Sequence, residues 1–205
     1  MAQRLPPDVH GSFHRFGAAA CGALAASMLL VSCAALVPPS RAPVTPVPFD
    51  LIGRVSVSYD ERSFFSNVRW HHLPDRDEIW LLTPAGQTLA RIVSDGDGAT
   101  LTGADRSEYR GSDVENLTRQ ALGWELPLSY LGWWVQGQAA PDGAPQDVER
   151  NTEAQLVALS EGGWRVNLTW NPPGESQPRP RKIEATSGTN VIRLLIDGWR
   201  AADGP

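Results

Sequence analysis

From Leu51 onward, apolar and polar residues alternate with a period of two. Leu51, Val55, Val57 and Tyr59 share one face, with Ile52, Arg54, Ser56 and Ser58 between them. A second run sets Phe64, Val68 and Trp70 against Asn67, Arg69 and His71, and Asp60-Glu61-Arg62-Ser63 supplies a hairpin turn. Alternation of this kind predicts half-buried strands. An apolar strand follows at residues 79–83, closed by Pro84-Ala85-Gly86, then a fourth at 88–94. The Asp95-Gly96-Asp97-Gly98 turn leads into a short fifth at 99–102. Strands joined by tight turns make an antiparallel meander.

The middle of the chain changes period. Ser112-Asp113-Val114-Glu115 reads as a capping box, with Ser112 at the N-cap. Val114, Leu117, Ala121 and Leu122 then share one helical face, and Gly123 ends the helix. Residues 127–136 form a second helical segment that starts at Pro127 and stops at Gly137. Leu128, Tyr130, Leu131, Trp133, Trp134 and Val135 make it apolar nearly all round, so it must be buried nearly all round. Residues 139–152 read as a polar loop. Strands resume at 154–161 and 164–171 around Gly162-Gly163, with Trp164, Val166, Leu168 and Trp170 alternating. After a Pro/Gly loop over 172–180, strands at 182–186 and 191–199 close the domain. The total is about nine strands, five before the helices and four after. A sheet that long curls, and helices within the curl would cover its inner face.

Composition narrows the class. Of 205 residues 41% are hydrophobic and 20% charged, which suits one folded domain rather than a disordered chain or a multi-span membrane protein. A net charge of −5, with Lys182 the only lysine, argues against nucleic-acid binding. Eight tryptophans imply large apolar faces. Trp164, Trp170 and Trp199 suit core packing. Trp133 and Trp134, on a helix already saturated with apolar groups, suit the wall of a cavity.

The first 32 residues read as an export signal. Arg4 and Arg15 precede an apolar run from Phe16 to Val31, shorter than the ~20 residues that span a bilayer. Leu30-Val31-Ser32-Cys33 resembles a bacterial lipobox, which implies cleavage before Cys33 and acylation of that residue. A plain signal peptide with a chance cysteine is the competing reading. After removal of Arg4, Arg15 and Asp8 acids still outnumber bases, so net charge would not draw the protein to anionic lipid. Attachment then falls to the acyl chains. Ala34 follows the cysteine where an Asp would mark inner-membrane retention, so the lipobox rule implies the outer membrane. Residues 33–48 carry five prolines and read as a tether with a reach of roughly 45 Å, or as an unremarkable leader. The folded domain is placed at 49–200.

Catalytic chemistry finds no motif. Past the signal the histidines are His71 and His72, adjacent and therefore on opposite faces of a strand. No Gly-x-Ser-x-Gly elbow, phosphate loop, Cys-x-x-Cys or His-Glu-x-x-His occurs. Neither a catalytic residue, a metal site nor a cofactor is expected.

Short motifs in a fixed order resemble the LolB family of outer-membrane lipoprotein receptors. They are Gly53-Arg54-Val55, Arg69-Trp70, the run from Leu81 through Pro84-Ala85-Gly86 to Thr88, and Gly123-Trp124-Glu125-Leu126-Pro127-Leu128. Leu131-Gly132-Trp133-Trp134-Val135-Gln136-Gly137, Gly163-Trp164 and the closing Leu194 to Trp199 complete the series. The resemblance implies a mainly β fold: an incomplete antiparallel β-barrel with inserted helices over an apolar cavity. It implies a monomer that is not an enzyme and uses no cofactor, anchored through Cys33 at the periplasmic face of the outer membrane. Its implied partners are the periplasmic carrier LolA, mature lipoproteins with their acyl chains, and outer-membrane lipid, with no nucleic acid. Val68, Trp70, Leu81, Leu117, Leu128, Leu131, Trp133 and Trp134 are the expected acyl-chain wall. Pro84, Ala85 and Gly86 match the family's membrane-delivery loop, where this sequence carries Ala85 in place of a protruding Leu. An acyl-chain-binding or structural outer-membrane lipoprotein without a transfer role, its barrel merely packed in the structural case, is the alternative.

Overall fold

Eleven strands hydrogen-bond into one antiparallel sheet in the computed structural model, which describes residues 47–172 and 178–200. In chain order they are β1 (Phe49–Tyr59), β2 (Arg62–Leu73), β3 (Arg76–Leu82), β4 (Thr88–Asp95), β5 (Gly98–Gly103) and β6 (Glu108–Gly111). Two helices follow, α1 (Val114–Leu122) and α2 (Leu128–Trp134). The chain then returns as β7 (Gln146–Arg150), β8 (Leu156–Glu161), β9 (Trp164–Trp170), β10 (Pro180–Ser187) and β11 (Asn190–Arg200). The signal segment, Cys33 and the tether up to residue 46 lie outside the described residues.

The spatial order is β6-β5-β4-β3-β2-β1-β11-β10-β9-β8-β7. Two meanders are therefore sewn together by the first and last strands, with Val55 opposite Leu194 and Val57 opposite Ile192. The edges are β6 and β7, which do not pair with each other, so the antiparallel barrel stays incomplete. Both helices lie in the chain between these edges. Inward positions of the central strands, among them Val57, Trp70, Ile92, Val166, Ile183 and Ile192, are all but inaccessible to water. Each such side chain contributes about 1.5–3 kcal/mol of transfer free energy.

Four local readings need correction. Strand β7 falls in the stretch expected as a polar loop and β6 in one given no element, because edge strands that face solvent carry no alternation; β7 is exposed at every residue. The first hairpin is tighter than Asp60-Glu61-Arg62-Ser63: Asp60 and Glu61 alone turn, with φ of 41° and 63°, and Tyr59 pairs with Arg62. Successive left-handed residues match the twist of the flanking strands. Helix α1 is capped by Asp113 rather than Ser112, its Oδ1 accepting from the Asn116 N–H at 2.7 Å. Glu115 is thereby freed to accept from the Ser129 N–H at 2.9 Å. Pro127 stands at the N-cap of α2, one residue outside the helix, and α2 ends at Trp134. Gly123 closes α1 at φ 82°, as its sequence position requires.

Gly53 marks the closest backbone approach. The β1–β11 register shifts at Ile52/Gly53, and a methyl group on Gly53 would stand 2.3 Å from the Leu195 carbonyl oxygen. Gly53→Ala should therefore cost about 1–3 kcal/mol, read as a lower urea midpoint at unchanged slope. Asp113→Ala should cost about 1 kcal/mol and Ser112→Ala much less. The Asn116 N–H, chiefly, holds the Asp113 carboxyl below its ordinary range. The cap's stabilisation is thus complete above the unfolded value of ~3.9 and disappears as pH falls through the folded one. Urea titrations of parent and Asp113→Ala should converge on that acid limb.

Candidate functional site

Where the helical segment meets the inner face of the sheet, a small apolar hollow remains. Its sheet wall is Val55, Phe64, Val68, Trp70, Ile79, Leu81, Ile92, Ile192 and Leu194; its cover is Trp124, Leu126 and Leu131. The enclosed volume is about 30 Å³, room for one or two waters. No acyl chain fits in that space as it stands. Phe64 is the single half-buried residue of the twelve, so the hollow comes nearest to solvent there.

Of the eight expected wall residues, Val68, Trp70, Leu81 and Leu131 face this hollow. Leu117, Leu128, Trp133 and Trp134 are buried elsewhere. The reason is helical geometry: a residue turns about 100° from the one before, so of the α2 apolar residues Leu131 alone meets the hollow. Trp134 turns to β8, where its Nε1 donates to Glu161 Oε2 at 2.7 Å and Tyr130 stacks on its ring. Leu117 sits on α1 against Gly111 of the edge strand β6. Ile92, Ile192 and Leu194 could have been added from strand alternation. Trp124 and Leu126 lie in the irregular link between helices, where no periodicity points to them.

The cover is braced as one unit. Thr118 Oγ1, fully buried, donates to the Val114 carbonyl and accepts from the Leu126 N–H at 2.9 Å. The Glu115–Ser129 bond and an Arg119–Glu125 ion pair tie the two helices and their link together. On the sheet side, the buried Glu161 carboxylate accepts from Trp134 Nε1 and from the Ala140 N–H at 3.0 Å. Such charge-assisted bonds are stronger than neutral ones. A second polar knot fixes the wall. Asp77 Oδ1 accepts from Trp70 Nε1 at 2.6 Å and lies 2.7 Å from His72 Nδ1, which locks the indole that faces the hollow. Among the described residues no group of His, Cys, Asp or Glu is arranged to hold a metal.

Pro84, Ala85 and Gly86 are exposed at the tip between β3 and β4, in a turn closed by Thr83 N–H to Gln87 oxygen at 2.8 Å. Asn67 pairs with Leu82, so continuing the β2 register puts Phe64 and Phe65 level with this tip. The mouth of the hollow and the loop therefore share one end of the sheet.

The family model described as outer membrane lipoprotein LolB matches residues 47–199, which takes in both helices and all of the sheet but the last residue of β11. The outer-membrane lipoprotein LolB of Chromobacterium violaceum is 34% identical over 86% of this chain and 96% of its own length. That of Nitrosomonas europaea is 36% identical over 78% of this chain and 76% of its own. A solved LolA superfamily protein from Nitrosomonas europaea aligns at 11% identity with a TM-score of 0.48, covering 80% of this chain and 90% of that one.

The Glu161 tie is open to direct measurement. Glu161→Ala leaves the Trp134 and Ala140 donors unpaired in a buried site, at about 1–3 kcal/mol for each. Glu161→Gln keeps one acceptor oxygen and should lose about half as much, both read by urea unfolding.

Proposed function

The chain belongs to the LolB family of outer-membrane lipoproteins, which acts in lipoprotein localization, and on that premise we propose how it works. The protein is anchored by acyl chains on Cys33, after removal of residues 1–32, and residues 33–48 tether the domain on the periplasmic face of the outer membrane. It accepts lipoproteins from the periplasmic carrier LolA, shelters their acyl chains against the inner face of the sheet, and yields them to the bilayer. Three acyl chains carry roughly 45 methylenes at ~0.8 kcal/mol each, so transfer through water without cover is prohibitive.

The observation that carries this reading is an apolar sheet face covered by a braced helical unit rather than by a second sheet. Lifting that unit exposes Val68, Trp70 and Leu81 on one side and Leu131 on the other. The step needs no nucleotide. Direction comes from the order of affinities, carrier weakest and bilayer strongest, because a shelter can only shift cargo by its difference in affinity. Pro84, Ala85 and Gly86 stand beside the mouth, where delivered chains would leave. Ala85 itself offers one methyl to the membrane.

The closed volume of about 30 Å³ favours a second reading, a lipoprotein whose barrel is packed and never opens. A fluorescent fatty acid separates the two. Saturable binding, lost in Phe64→Asp at the mouth and kept in Trp133→Ala outside the wall, is expected; absence of binding in the parent establishes the packed barrel. In cells, depletion should strand outer-membrane lipoproteins on the periplasmic carrier, measured by fractionation. Correct sorting after depletion would refute the receptor role.

A further inference from the structure

On the opposite, outer face of the sheet, Phe65 stands 77% exposed, the most open large hydrophobic side chain among the described residues. It borders a groove of about 420 Å³ formed with Pro84, Leu195, Arg54, Lys182 and Arg193. The register explains the grouping. Ser56 pairs with both Phe65 and Arg193, while Leu195 pairs with both Arg54 and Lys182. An apolar centre is thus framed by three cations, including the only lysine of the chain.

We propose that this face is a bilayer-contact surface, with Phe65 inserted among acyl chains and Arg54, Lys182 and Arg193 meeting lipid phosphates. The inference rests on the reading above that the protein delivers lipoproteins to a membrane, and it supplies the apolar contact that Ala85 is too small to make. Three observations select lipid as the occupant. First, the chain is acidic overall, yet here three cations face two carboxylates: Glu184 bridges Lys182 and Arg193 at 3.2 and 2.8 Å, and Asp197 holds Arg54 at 2.8 Å. These pairs are partly exposed and give way to phosphate at little cost. Local charge therefore complements anionic head groups although net charge does not.

Second, the patch adjoins the loop at the mouth of the hollow. Ser66 Oγ donates to the Leu82 carbonyl at 3.0 Å and Asn67 Nδ2 to the Thr83 carbonyl at 3.4 Å, so β2 and the tip move together. Cargo leaving the hollow would emerge where Phe65 touches the bilayer. Third, the chain is long enough. Phe65 pairs with Ser56, seven residues along β1 from Phe49, or roughly 23 Å. Residues 34–48 can span up to about 50 Å when extended, so an anchor at Cys33 leaves this end free to turn onto the membrane.

The test places a reporter at the patch of the complete lipid-anchored protein. Phe65→Cys, carrying an environment-sensitive fluorophore, is reconstituted in vesicles of phosphatidylethanolamine and phosphatidylglycerol beside Val148→Cys on β7, with the unsubstituted protein as labelling background. A blue-shifted emission at 65 that shallow spin-labelled lipid quenches, absent at 148 and weakened by salt, is the expected result. Phe65→Asp should slow delivery of lipoprotein to the vesicles about tenfold with uptake from the carrier unchanged, and Phe65→Leu should restore it. Water-like emission at 65, shielding at 65 only when the carrier is added, or delivery by Phe65→Asp at the parental rate would each overturn the proposal. A parent that takes up no lipoprotein from the carrier would instead refute the receptor reading.

Discussion

An apolar concave sheet face cannot be left to water, and in this protein it has no second sheet to lie against. The barrel does not close, because β6 and β7 remain separate edges. The cover is instead the stretch of chain that bridges those edges, which brings Trp124, Leu126 and Leu131 against the inner face. Burial drives the cover down without directional bonds, since the hydrophobic term scales with area and not with geometry. Such a contact can re-form after separation, or be replaced by other apolar matter of similar area. A covalent closure could do neither.

Polar groups then decide what moves and what stays. Within the cover, Thr118, Glu115 and the Arg119–Glu125 pair satisfy backbone and side-chain groups locally, so the two helices gain nothing by parting. Toward the sheet the described polar ties are few, chiefly Glu161 with Trp134 and Ala140. A buried carboxylate without donors is costly, so Glu161 holds its partners as firmly as they hold it. On the sheet itself Asp77 fixes Trp70, and Asp50 accepts from Arg69 at 2.6 Å. The wall is pinned by its own polar bonds, and among the described residues the cover is tied to it chiefly at Glu161. That division concentrates any opening at the seam between them.

Much of this was legible in the sequence. Alternation located nine strands because each buries one face, and the switch to a helical period located the two helices. It failed at β6 and β7, whose residues face solvent on both sides, and at the helix cap, where Ser112 and Asp113 both satisfy the pattern and only geometry chooses. The candidate wall was half legible. Val68, Trp70 and Leu81 follow from strand period, but an all-round apolar helix does not reveal which residue meets which neighbour, so Trp134 and Leu131 look alike in sequence. Trp124 and Leu126 belong to a link with no period. Sheet length and the apolar helix pointed to a curl with a helical cover, and the family resemblance added that the barrel is incomplete; neither periodicity nor composition specifies an open seam.

Net charge misleads for the same reason that composition does, since it averages over surfaces that act separately. The acids of this chain outnumber its bases, yet Arg54, Lys182 and Arg193 gather around Phe65 on one patch of the outer face. Screening limits the reach of a charge to about 8–10 Å at physiological salt, so a head group senses the patch and not the total. The pairing register places these residues on adjacent strands β1, β2, β10 and β11, although they stand far apart in the chain. Sewing the first strand to the last therefore does two things at once. It completes the apolar inner face, and on the outer side it assembles a cationic, aromatic surface beside the mouth of the hollow.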